Sequence, residues 1–125
     1  MAKKKKILLV DDEIDFVELV RVRLENSNYE VIVAYDGEEG LERAEQEHPD
    51  LIILDILLPK ISGFDICRKL KFDENFKKIP IIMLTAKFQQ SDKKFGIAMG
   101  ADAYMTKPFE PQALIEKIRE LLNKK

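Results

Sequence analysis

The sequence has a single cysteine, Cys67, a single histidine, His48, no long apolar run, and no marked excess of charge of either sign. Each shortage excludes something. One cysteine can close no internal disulfide, and this usage is expected of a reducing compartment. A membrane span needs about 20 apolar residues, and no stretch here approaches that. The basic run Lys3-Lys4-Lys5-Lys6 is followed only by Ile7-Leu8-Leu9-Val10, too short for the apolar region of a signal peptide. A cytoplasmic location is therefore expected. A formal net charge of -2 offers no electrostatic case for binding nucleic acid. His48 stands between a helical stretch and Pro49 without a set of metal-ligating neighbours, and a catalytic role is not expected of it. No linker, repeat or low-complexity segment divides the chain. Its 125 residues read as one domain, 1–125, with residues 1–5 as a basic tail.

With 46% hydrophobic and 35% charged residues, the composition is that of a globular protein. The stretch Leu51-Ile52-Ile53-Leu54 is short and uniformly apolar, which reads as a strand buried on both faces. Asp55 follows it, and a loop runs through Pro59 to Gly63. Residues 6–10 and 81–84 have the same character. Val31, Val33 and Tyr35 alternate with Ile32 and Ala34 in a further strand, which the turn signal Asp36-Gly37 ends. A short strand is expected at 103–106.

Helical spacing links Phe16, Val17, Val20 and Leu24 within 13–27, and Leu41 with Ala44 within 38–47. It recurs in Phe64, Cys67 and Leu70 within 63–72, and more weakly at 89–99 before Gly100. A final helix has Pro111 near its first turn and Leu114, Ile118, Leu121 and Leu122 inward. Five alternations of strand and helix with short connections predict an α/β fold, a doubly wound parallel sheet with helices on both faces.

Right-handed crossovers in such a sheet bring the C-terminal ends of the strands to one edge. Ligands bind there, where the strand order reverses. The polar residues at those ends are Asp11, Asp12, Asp55, Thr85 and Lys107. Three carboxylates in one pocket resist ionising together unless a cation sits among them. An oxygen-only set selects a hard cation, Mg2+ or Mn2+. A hydroxyl and an ammonium opposite such a metal can cradle a phosphoryl group, and Asp55 is placed to attack phosphorus. Taken singly, these residues have plainer roles: paired acids open helices, an acid before Pro and Gly forms turns, and Tyr104 fills a core. Their joint arrangement outweighs those roles, because each supplies a different chemical function at one edge.

At these residues the chain resembles the receiver domain of two-component response regulators, the CheY-like superfamily, over essentially its whole length. The resemblance is carried by Asp11-Asp12, by Asp55 with Pro59 and Gly63, by Thr85-Ala86, and by Gly100-Ala101-Asp102-Ala103-Tyr104 leading to Lys107-Pro108-Phe109. It implies a flavodoxin-like (βα)5 fold with strand order 2-1-3-4-5. It also implies that Asp55 accepts phosphate from a phosphohistidine on a sensor histidine kinase or histidine phosphotransfer protein. Asp12, Asp55 and the Leu57 backbone carbonyl would then bind Mg2+ directly, with Asp11 acting mainly through water and the local field. Lys107 would contact the phosphoryl oxygens, Thr85 would move toward them, and Tyr104 would turn inward behind it. That coupled motion would change the face made by the fourth helix, fifth strand and fifth helix, for protein–protein signalling. Leu58 occupies a position where relatives often carry Met.

Two other functions on this fold class are disfavoured by particular residues. A flavin or nucleotide binder needs a Gly- or Ser/Thr-rich phosphate loop after the first strand, where this chain has Asp11-Asp12-Glu13. A phosphohydrolase needs a second acid two residues after its nucleophile, and that position is Leu57. A receiver that signals without phosphorylation is disfavoured by the complete set of acids and Lys107. The expectation is a phosphorylation-dependent switch that is not an enzyme in the usual sense, a monomer or a phosphorylation-dependent dimer. It would act on a downstream protein or a fused output domain, either as a stand-alone regulator or as a receiver from a larger response regulator or hybrid kinase.

Overall fold

The alternation of apolar residues along each strand decides where the helices pack. In the computed structural model, which describes residues 3–86, 100–107 and 109–123 (Thr85 and Ala86 by backbone alone), the strands are β1 (Lys6–Val10), β2 (Glu30–Ala34), β3 (Leu51–Asp55), β4 (Ile81–Ala86) and β5 (Ala103–Lys107). The described helices are α1 (Ile14–Asn26), α2 (Gly37–Glu47), α3 (Gly63–Lys71) and α4 (Pro111–Leu122). This α4 is the fifth helix of the sequence reading. The helix expected at 89–99, together with Pro108, lies outside the described residues.

All five strands are parallel, in the order β2-β1-β3-β4-β5. Successive strand residues point to opposite faces, so each strand feeds two cores. Ile7 and Leu9 of β1, Leu51 and Ile53 of β3, and Ile82 and Leu84 of β4 pack with Val20 and Leu24 of α1 and Ile118 of α4. Leu8, Val10, Ile52, Leu54, Ile81 and Met83 pack on the other face with Ala44 of α2 and with Ile66, Cys67 and Leu70 of α3. The doubly buried strands therefore read as continuous apolar runs.

Several boundaries differ from the sequence reading, each for a local reason. Tyr35 lies outside β2 because its N–H donates to Glu39 Oε1 at 2.8 Å. Asp36-Gly37 is more than a turn: Asp36 is the N-cap of α2, accepting from Glu39 N at 2.8 Å, and Gly37 is the helix's first residue. The buried residues of α2 are Gly37, Gly40 and Ala44, with Leu41 only partly buried. Small residues at this spacing let the helix approach β1 so closely that a Cβ on Gly40 would lie 2.8 Å from Val10 Cγ1. Asp55 is the last residue of β3, as expected, while β4 and β5 extend past the apolar pattern to include Thr85-Ala86 and Lys107. His48 is the left-handed C-cap of α2 (φ 49°) and stacks on Phe76 at 4.6 Å, a structural role.

Candidate functional site

Strand parity explains how the polar residues meet. Asp55 continues the Leu51–Ile53 row of β3, which faces α1 and α4, and Lys107 continues the Ala103–Met105 row of β5, which faces the same core. Asp11 lies one residue past β1, and its N–H extends the ladder by donating to Ala34 O at 3.1 Å. β1 and β3 are neighbours in the sheet although β2 intervenes in sequence. Their ends therefore form the point where the strand order reverses, the usual ligand crevice of such sheets.

Asp11 is fully buried, Asp55 is buried, and Asp12 is exposed. One carboxylate oxygen from each lies within 4.8 Å of the others. A set made only of oxygens at this separation fits a hard divalent cation. Lys107 reaches into the cluster, donating to Asp11 Oδ2 at 2.8 Å, Glu13 Oε1 at 2.8 Å and Asp55 Oδ2 at 3.2 Å. Its ammonium also sits 4.2 Å from the centre of the Phe16 ring, and Phe109 packs edge-on against that ring at 5.9 Å.

The charges shift one another. Burial holds the Asp55 carboxyl above the usual carboxylate range, and the charge of Asp11 pushes the same way, while Lys107 and the Leu57 N–H oppose it. Burial pulls Lys107 down, but its hydrogen bonds to Asp11 and Glu13 and the charges of Asp55 and Asp11 outweigh it. Its pKa stands above the usual lysine value.

The loop after β3 is tightly held. Leu57 N donates to Asp55 Oδ1 at 3.2 Å, Ile56 N to Leu84 O at 3.1 Å, and Gly63 N to Ile56 O at 3.0 Å. α2 clasps its far side: Gly37 N donates to Pro59 O at 3.1 Å, and Lys60 pairs with Asp36 at 3.5 Å. Leu57 is 72% exposed beside the cluster. A cleft of about 830 Å3 opens from Asp55 and Lys107 between α1 and α4, walled by Phe16, Leu19, Phe109 and Ile115.

The expected residues are thus distributed as follows. Asp11, Asp12, Asp55 and Lys107 come together, with Leu57 at their rim. Thr85 is the penultimate residue of β4, in register with Thr106, its side chain outside what is described. Tyr104 pairs with Met83 across β4–β5, and its ring packs partly buried against the α2–α3 core. Sequence reasoning missed two partners of Lys107, Glu13 and Phe16. Glu13 carries the signal of being a third consecutive acid. Phe16 carries none, because its helical spacing places it in the core.

A flavodoxin-like domain with a carboxylate–lysine cluster at its switch point is the class that fold and site define. The chain belongs to the family of response regulator receiver domains: the family model matches residues 7–119. It is 48% identical over 120 residues to the alkaline phosphatase synthesis transcriptional regulatory protein PhoP of Bacillus subtilis, covering 96% of this chain and 49% of that protein. A putative response regulator from Chloroflexus aurantiacus has a similar structure (TM-score 0.94, 38% identity, 98% of this chain and 100% of that one). So does the receiver domain of a sensor histidine kinase from Pseudomonas aeruginosa, whose structure has a magnesium ion coordinated in the active site cleft (TM-score 0.89, 29% identity, 98% of this chain and 100% of that one). The chain spans about half the length of the curated relatives it matches. Among the described residues no helix is long and apolar enough to cross a membrane.

Proposed function

We propose that Asp55 accepts a phosphoryl group from a phosphohistidine on a sensor histidine kinase or histidine phosphotransfer protein, and that the chain is a switch driven by that modification. The observation that carries the reading is Lys107 Nζ at 3.2 Å from Asp55 Oδ2, with oxygens of Asp11 and Asp12 in the same cluster. Nucleophile, phosphoryl-binding cation and metal-ligand set thus share one point.

Asp11, Asp12, Asp55 and the Leu57 carbonyl would hold Mg2+ or Mn2+, which neutralises charge on the transferring group. The magnesium in the related Pseudomonas structure supports that assignment. An Asp55 oxygen attacks phosphorus as the P–N bond breaks. The bonding pair goes to the ring nitrogen, which takes up a proton and leaves as neutral imidazole. Lys107 donates to a phosphoryl oxygen in a charge-assisted hydrogen bond. Later attack by water returns Asp55 and free phosphate, so the chain performs self-phosphotransfer and slow autodephosphorylation and is no enzyme in the usual sense.

Thr85 and Tyr104 carry the change to the face made by residues 89–99, β5 and α4, which a protein target or fused output domain reads. The curated relatives are about twice as long and include transcriptional regulators, which supports a larger regulator as this domain's setting. This domain itself contacts neither nucleic acid nor membrane, works in the cytoplasm, and is a monomer or a phosphorylation-dependent dimer.

The test is intact mass after incubation with acetyl phosphate and magnesium. One phosphoryl adduct is expected, labile to base and missing in Asp55→Asn and with chelator. An adduct that survives in Asp55→Asn would place the acceptor elsewhere.

A further inference from the structure

A lysine ammonium has three N–H donors and no acceptor. In Lys107 all three are committed: Asp11 Oδ2 at 2.8 Å, Glu13 Oε1 at 2.8 Å and Asp55 Oδ2 at 3.2 Å. The Phe16 ring, 4.2 Å from the ammonium, closes a further side. A phosphoryl oxygen on Asp55 can take a hydrogen bond from Lys107 only when one of these partners is released.

The three partners are not equally easy to release. The Asp11 side chain has no exposure, so its carboxylate needs a cation beside it, Lys107 or a bound metal, and water cannot take that place. Asp55 is the group being modified. The Glu13 side chain is 64% exposed, and water replaces the lost hydrogen bond there at little cost. Glu13 also does no structural work through its carboxylate at the start of α1: it is the N-cap, but its side chain accepts no capping hydrogen bond. Its backbone N–H is what ties it to Asp11 Oδ1, at 2.9 Å.

We infer that Glu13 is a positioning residue for Lys107. It holds the ammonium at a waiting position in the unmodified site and surrenders it when a phosphoryl group arrives, so its grip sets how readily the site accepts that group. The inference rests on the phosphoacceptor reading of Asp55.

The experiment is a double-mutant cycle on the whole chain, with beryllofluoride as the phosphoryl mimic. Its dissociation constant is measured with saturating magnesium in wild type, Glu13→Gln, Lys107→Ala and the double variant. Circular dichroism establishes that each is folded. Glu13→Gln keeps the side chain's size and removes its hold on the ammonium, and about two- to fivefold tighter binding is expected. In the Lys107→Ala background the same substitution is expected to change nothing. Equal tightening in both backgrounds would mean that Glu13 acts only through the general field of its charge, and the inference fails. Unchanged or weaker binding in Glu13→Gln also overturns it. A wild-type chain that binds no beryllofluoride and takes no phosphoryl from acetyl phosphate would instead remove the phosphoacceptor reading, and this inference with it.

Discussion

Gly63 presses against the carbonyl of Asp55: a Cβ at position 63 would lie 2.2 Å from that oxygen and 2.9 Å from Ile56 Cα. The first residue of α3 and the last residue of β3 are therefore in contact across the loop that carries Leu57. The atoms nearest such a Cβ are all backbone, so no flexible side chain could move aside for it.

Gly63→Ala is accordingly expected to displace the 56–62 loop and with it the Leu57 carbonyl. Overpacking of this kind costs about 1–3 kcal/mol, read as a lower denaturant midpoint. Magnesium affinity, measured by titration calorimetry, should fall as well. Ser62→Ala serves as the comparison, because it removes the cap of α3, where Ser62 accepts from Asp65 N at 3.2 Å and donates to Asp65 Oδ2 at 3.1 Å. It should lower stability by about 1 kcal/mol and leave magnesium affinity unchanged. Unaltered magnesium binding in Gly63→Ala would contradict the tie between this glycine and the metal site.

Asp55→Asn is expected to raise the melting temperature of the metal-free protein near pH 7. The carboxyl's pKa is raised in the folded chain by burial and by Asp11, against the pull of Lys107. A carboxyl with a raised folded pKa binds its proton more tightly folded than unfolded. Its contribution to stability therefore falls as pH rises from about 3.9, the unfolded value, through the folded pKa, and the penalty persists above that. The amide removes the penalty. Each kcal/mol relieved corresponds to about 4 °C for a domain of this size. The gain should vanish at pH 3, and added magnesium should stabilise wild type more than the variant. Thermal unfolding in chelator across that pH range checks both, and a lower melting temperature at pH 7 would contradict the crowded-acid picture.

Cys67 is fully buried on the inner side of α3, and burial pushes its thiol up to about 11, with Asp102 adding and Lys71 opposing. Thiolate is the reactive form. Against an ordinary cysteine near 8.5, the native thiol should react with a disulfide reagent at pH 8 slower by on the order of 10²-fold. Reaction should reach the ordinary rate once denaturant unfolds the chain. Fast labelling of the native protein would mean that α3 opens locally far more often than its packing against Ile52 and Leu54 allows.

The strands and the clustered acids are legible in the sequence because their signals are local. Leu51-Ile52-Ile53-Leu54 is apolar on both faces wherever it lies, and Asp55 closes it by position alone. In α2 the apolar spacing points to Leu41 and Ala44; Ala44 is buried, but the rest of the buried face is Gly37 and Gly40, with Leu41 partly buried. Close packing on Val10 selected small residues there, and hydrophobic periodicity does not register glycine. In the sequence Glu13 is only the third acid of a run. Its role depends on Lys107, 94 residues away.

Order of elements, the two-sided burial of the strands and the row of residues at the sheet edge follow from the sequence by itself. They depend on periodicities of 2.0 and 3.6 and on the handedness of crossovers. The tertiary structure alone decided which carboxylates share the Lys107 ammonium, that Phe16 lies under it, and that Asp11 is the buried acid and Asp12 the exposed one. Those outcomes rest on ångström-scale register between strands whose end residues lie far apart along the chain. Hydrogen bonds and desolvation respond to that distance, and composition does not encode it.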